Sequence, residues 1–261
     1  MLERWAIWGG RGAALMAGLF LALPLVALIA RAVTAPPSSG EVISPLLFDA
    51  LLLSAGTTPI ALLLTVIFGT PLAYLLARRR FWGRAWLRVL IELPIVMPPA
   101  VAGIALLLAY GRRGLIGGVL DDVGVRLPFS TAAVIIAQTF VAAPFFIRSA
   151  QVGFAGVPPE LEDAARVDGA DGWALFSRIT LPLAAPSLTS GLILAWARAL
   201  GEFGATLLFA GSLQGRTQTM PLLIYNALER DLDAAVQAGL ILVGAALVAL
   251  LAAQWVESSW E

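Results

Sequence analysis

The chain has 261 residues, 59% of them hydrophobic, and its 17 basic residues balance 17 acidic ones. A mean hydropathy of +0.88 lies well above that of a soluble domain, and several apolar runs exceed the ~20 residues a membrane helix needs. Zero net charge says nothing about partners; no nucleic-acid partner is expected. The absence of cysteine and histidine removes thiolate nucleophiles, imidazole bases, soft-metal sites and disulfides.

The expected class is all-α: one polytopic membrane domain over 1–261 with six spans. Residues 1–11 carry Arg4 and Arg11, and span one covers about 12–33. Its apolar core is longer than the ~7–15 residues of a signal peptide, so an uncleaved span is expected. Span two covers about 49–77, with Pro59 and Pro71 as kinks. Arg78, Arg79, Arg80, Arg84 and Arg88 follow it, and so short an arginine-rich loop belongs in the cytoplasm. These arginines are read as setting topology, not as a binding patch.

Span three covers about 89–110. Pro94, Pro98 and Pro99 bar a regular helix interior there. Span four covers about 130–150 and holds Gln138 and Pro144; span five covers about 183–209 and span six about 234–256. Six spans put both termini on the cytoplasmic side of a plasma (inner) membrane.

Between spans four and five, residues 156–182 form the most charged segment. Pro158 and Pro159 can open a helix, because its first N–H groups lack intrahelical partners anyway. Glu160, Glu162 and Asp163 suit the positive end of that helix. Gly169 sits where a left-handed cap would end it, and Asp171 can cap a second short helix showing Trp173, Phe176 and Ile179 on one side. Pro182 is expected to break that helix and start the next span.

The spacing of this segment resembles the cytoplasmic "EAA" loop of the membrane subunits of binding-protein-dependent ABC importers. That pattern is E-A-A, three residues, G, nine residues, I-x-L-P. Here Asp163-Ala164-Ala165, Gly169, Ile179, Leu181 and Pro182 fall in register. The departure is Asp163 in place of Glu, with Glu162 beside it. The resemblance implies a type I importer permease fold whose coupling helices dock on an ATPase. It assigns that coupling to Glu160, Glu162, Asp163, Ala164, Ala165, Gly169, Phe176, Ile179 and Pro182.

In span five, Arg198 and Glu202 stand four apart near mid-membrane, which would put them on one helix face. An isolated charge there costs on the order of 2.5–3.5 kcal/mol on insertion scales, so such residues pair or face a water-filled path. Two readings stay open: a self-neutralising pair that locks helices together, or a lining of the translocation path or gate. The path reading takes in Arg198, Gly201, Glu202, Gly204 and Thr206, with Pro98 and Pro99 from span three. The run Ala197 to Thr206, followed by Gly215 to Leu222, is similar to molybdate permeases in particular, with sulfate/thiosulfate and tungstate permeases as alternatives.

The resemblance implies a homodimer, two ATPase subunits, an extracytoplasmic solute-binding protein and surrounding membrane lipid. It implies no cofactor on this subunit, ATP and Mg being used by the ATPase. The chain lacks lysine and hence a Gly-x-x-x-x-Gly-Lys-Ser/Thr phosphate loop, so ATP hydrolysis is left to a partner. An intramembrane enzyme built on Glu92 and Glu202 would need a paired acid motif that the sequence does not contain. An ion-coupled secondary transporter would be expected to show repeated halves.

Overall fold

The computed structural model describes residues 2–34 and 43–258, which form helices and no strand. In order these are α1 (Leu2–Thr34), α2 (Ile43–Arg78), α3 (Arg84–Val96), α4 (Pro99–Tyr110), α5 (Gly117–Asp122) and α6 (Thr131–Gly156). They continue with α7 (Pro159–Val167), α8 (Gly172–Leu175), a π-turn (Phe176–Thr180), α9 (Leu181–Leu200), α10 (Gly204–Ala210), α11 (Met220–Leu228) and α12 (Leu232–Ser258).

Among the described residues, five helical stretches are long and apolar enough to cross a membrane: Arg11–Thr34, Pro45–Arg78, Thr131–Gly156, Gly172–Leu200 and Leu232–Leu251. The third expected span, 89–110, is divided between α3 and α4. The break falls at Met97 and Pro98, both in extended conformation, where the run of prolines withholds backbone donors.

Two other expectations are corrected. Span five is not one helix: α9 stops at Leu200 and α10 starts at Gly204, so Arg198 and Glu202 do not share a continuous helix face. Pro182 does not break the chain's course either, because Gly172–Leu200 runs as one helical stretch through it. The π-turn is the reason. Leu181 donates to the carbonyl of Phe176, five residues back, and this shift in the ladder seats Pro182 in the first turn of α9, where no N–H is required.

The core lies where α6 is sandwiched between α2 and α9. Ala73 and Leu76 meet Ala142, Phe146, Ala150 and Phe154, with Ala184, Ala195 and Ala199 closing the other side. Lipid tails are as apolar as leucine, so helix association here depends on close packing of small residues. Gly153 and Gly191 supply it reciprocally. A Cβ on Gly153 would lie 2.6 Å from Ser187 Cβ, and one on Gly191 would lie 2.6 Å from Ser149 Cβ. The Ser149 hydroxyl donates to the Ser187 carbonyl at 2.7 Å across the same seam. In the segment after α4, Asp121 of α5 accepts from Arg126 at 2.8 Å and Arg112 at 3.2 Å, and these hydrogen bonds hold its carboxyl below the usual carboxylate range.

Candidate functional site

The segment after α6 is built by its own caps. Pro158 is extended and Pro159 opens α7, with Glu160 and Glu162 in the first turn. The helix ends at Gly169, whose φ of +86° is a left-handed conformation that glycine adopts without strain. Its N–H donates to Arg166, and Ala170 donates to Ala165 at 2.9 Å, so the freed carbonyls are satisfied. Asp171 then caps the next helix, its Oδ1 accepting from the Ala174 N–H at 2.6 Å.

Glu162 is only 6% exposed, and it faces the bundle. Its Oε1 accepts from Arg78 Nη2 at the end of α2 and from the Thr180 hydroxyl in the π-turn, each at 2.8 Å. The same Arg78 nitrogen donates to the Val157 carbonyl at 3.1 Å. One carboxylate therefore joins three elements distant in sequence: the end of α2, α7, and the start of the α9 stretch.

The other residues that the sequence assigns to coupling divide between two faces. Glu160, Asp163, Ala164, Gly169 and Pro182 are exposed, and Asp163 pairs with Arg166 at 2.6 Å. Ala165 and Ile179 are half-buried. Phe176 packs inward, with its ring edge-on to Tyr74 at 5.4 Å and tilted against Phe154 at 6.1 Å. The outer face also carries apolar side chains that sequence reasoning did not assign: Leu161, Val167 (88% exposed) and Trp173 (74% exposed). Val167 shares a helix face with Glu160 and Asp163, and a valine on the polar side of a charged helix was the available signal.

The second constellation lies at the two helix breaks. Arg198 donates to Glu202 Oε2, while Glu202 Oε1 accepts from the Ala205 N–H at 2.7 Å. Glu202 is 1% exposed, and both its oxygens are occupied: it neutralises Arg198 and caps α10. α10 packs directly on α4. A Cβ on Gly204 would stand 2.6 Å from Pro99 Cβ, and one on Gly103 would stand 2.8 Å from Leu208 Cβ. The structure thus brings Pro99 and Gly204 together, with Pro98 exposed beside Pro99, Thr206 buried in α10, and Gly201 exposed in the break. Gln138 joins this region without having been assigned a role. Its Nε2 donates to the Ala199 carbonyl at 3.2 Å and to Thr58 Oγ1 at 3.3 Å, tying α6 to the last turn of α9 and to α2. A buried amide in an apolar span was the signal. Among the described residues no cluster of acidic side chains could hold a metal ion.

The family model described as "Binding-protein-dependent transport system inner membrane component" matches residues 69–260. The chain belongs to that family. This permease is therefore a multi-pass inner-membrane transport component and not an enzyme. It is 46% identical to the "Molybdenum transport system permease protein ModB" of Mycobacterium tuberculosis over 89% of this chain and 88% of that one. It is 38% identical to the Escherichia coli K12 protein of the same name, over 80% of this chain and 92% of that one. A "Probable molybdenum ABC transporter permease protein" of Haloferax volcanii is 40% identical over 91% and 86%. Among solved structures, a bacterial ABC transporter for import of alginate superposes with a TM-score of 0.75 at 20% identity, covering 98% of this permease and 96% of that chain. The MetNI methionine transporter superposes with a TM-score of 0.65 at 17% identity, covering 85% and 99%. These two likenesses establish the all-α ABC importer permease fold for this permease.

Proposed function

We propose that this permease forms the translocation path of an ATP-driven importer for a tetrahedral oxyanion, and that the oxyanion is molybdate. The observation that carries the substrate is the 46% identity to a molybdenum permease across nearly nine-tenths of the chain. In this reading two copies form the pore, two ATPase subunits use ATP and Mg, and an extracytoplasmic binding protein delivers the anion. Both termini and the Arg78–Arg88 loop face the cytoplasm, and 1–261 acts as one transmembrane domain.

The exposed face of α7 and α8, with Glu160, Leu161, Asp163, Ala164, Val167 and Trp173, meets the ATPase. Glu162 and Phe176 act from behind that face, fixing it to the bundle. A displacement of α7 is passed through Glu162 to Arg78 and Thr180, and so to α2 and α9 together. The broken helices at Pro98 and Glu202 form the gate, because a break between packed half-helices can re-pack without unfolding a whole span. Arg198 offers its guanidinium to a passing anion, while Glu202 holds it in place. Expression in a bacterium deprived of its own molybdate importer, together with the partner subunits, tests the reading. Molybdate accumulation at limiting external concentration should return, and sulfate accumulation should not.

A further inference from the structure

The turn between α2 and α3 carries a feature that coupling does not use. Gly83, at φ +86°, lets the chain reverse and start α3 at once. Arg84 and Arg88 then stand one turn apart on one side of α3. With Arg80 and Phe81 they line a shallow, open hollow of about 420 Å³ whose walls include no acidic side chain. Arg84 and Arg88 are each partly buried, and the Nε atom of each is buried with no hydrogen-bond partner. Among the described residues, none of Arg79, Arg80, Arg84 and Arg88 forms an ion pair, and Glu92, four residues beyond Arg88, forms none with it. Guanidinium groups left without a carboxylate partner, and partly desolvated, favour an anion beside them.

The surroundings identify the anion. Trp82 is 99% exposed and Trp86 78% exposed, beside the arginines. From Trp86 an exposed apolar stripe continues along α3 through Val89, Leu90, Leu93 and Val96. Tryptophan prefers the membrane–water boundary, and a cluster of arginines at the cytoplasmic end of a span attracts anionic lipid. A soluble protein docking from the cytoplasm could cover the arginines and Trp82. It could not follow a stripe that continues for several turns along the helix, a rise of about 1.5 Å per residue.

We infer that Arg80, Arg84 and Arg88, with Trp82 and Trp86 at their edge, form a binding site for the phosphate headgroup of an anionic phospholipid, whose acyl chains lie along α3. The inference does not depend on which substrate the permease carries.

The test uses the assembled importer, purified in mild detergent and titrated with dioleoyl phosphatidylglycerol, dioleoyl phosphatidylcholine or inorganic phosphate. Bound molecules are counted by native mass spectrometry. The phosphatidylglycerol should bind at least about tenfold more tightly than the phosphatidylcholine, and inorganic phosphate should not bind. Each arginine removed should weaken phosphatidylglycerol binding by up to about fivefold, so R80Q/R84Q/R88Q should abolish its preference over phosphatidylcholine. Removing arginines can disturb insertion, so W82A/W86A is the second variant: it keeps every charge and should still lose phosphatidylglycerol affinity severalfold. Equal binding of the two lipids, unchanged binding in W82A/W86A, or binding of free phosphate as strong as that of lipid would overturn the proposal. Release of the bound lipid on adding ATPase subunits to the permease alone would overturn it too, since the arginines would then be a protein-docking surface.

Discussion

Arg78 Nη2 lies 2.8 Å from Glu162 Oε1, joining the end of α2 to a helix 84 residues further along the chain. Thr180 reaches the same oxygen at 2.8 Å from the π-turn that leads into α9. The side chains of Arg78 and Glu162 are 16% and 8% exposed, so the pair is largely desolvated and geometrically fixed. A rigid link of this kind is what a coupling loop needs if movement at its outer face is to reach the membrane helices.

Glu162→Ala should therefore strand the Arg78 guanidinium. Breaking a buried pair costs about 3–5 kcal/mol, and residual exposure here places the expected loss at the low end. Replacing both residues with leucine should cost less stability than either single alanine change, yet leave transport impaired. Thermal unfolding of the purified complex, read beside uptake at matched membrane abundance, checks both parts. Normal uptake in the double variant would show that the link does not transmit motion.

Gly169→Val tests the turn between the two short helices. Nothing lies within 4 Å of a Cβ built at this position, so the penalty comes from φ +86° alone. Left-handed backbone costs an ordinary residue about 1–2 kcal/mol, and a β-branched one more. Membrane insertion should survive while co-purification of the ATPase or coupled uptake falls. Gly169→Asn should be tolerated better, because asparagine accepts this conformation. A single cysteine in place of Ala164, which is exposed in a chain without cysteine, gives a clean cross-linking probe of the same surface.

The features legible in the sequence were local ones. The caps at Pro159, Gly169 and Asp171 rest on bonds within a few residues, so spacing alone discloses them. The partner of Glu162 was not legible, because nothing near residue 162 points to Arg78. The break at Gly201–Phe203 was hidden for a related reason. An apolar run with glycines reads as continuous, and the α9 stop depends on a carboxylate that prefers the Ala205 N–H to a helical position. The π-turn at Phe176–Thr180 likewise removes the barrier expected of Pro182, since one shifted hydrogen bond changes which residue must donate.

Gly103→Val and Gly204→Val should each push α4 off α10. The added atoms would enter space already held by Leu208 and Ala205 in the first case, and by Pro99 in the second. Overpacking of this kind costs about 1–3 kcal/mol. Uptake should fall further than abundance does, because the seam between the two half-helices is the element assigned to gating. Equal declines in abundance and uptake would assign the seam to stability alone.

The Arg198–Glu202 pair separates structure from transport in another way. Glu202→Leu alone leaves Arg198 without its carboxylate and α10 without its cap. The double change R198L/E202L strands no charge and loses only the cap, worth about 1 kcal/mol. It should insert and remain folded yet fail to transport, since the guanidinium in the gate region is gone. Near-normal uptake by the double variant would make the pair structural and remove both residues from the path.

The central claim is ATP-driven movement of molybdate through this chain. The direct measurement is uptake of radiolabelled molybdate into proteoliposomes holding the permease, its ATPase and its binding protein, with ATP and Mg enclosed on the ATPase side. Uptake should require hydrolysable ATP, and excess unlabelled molybdate should suppress it far more strongly than equal sulfate. Uptake that continues without ATP, or that sulfate suppresses as strongly as molybdate, would contradict the account.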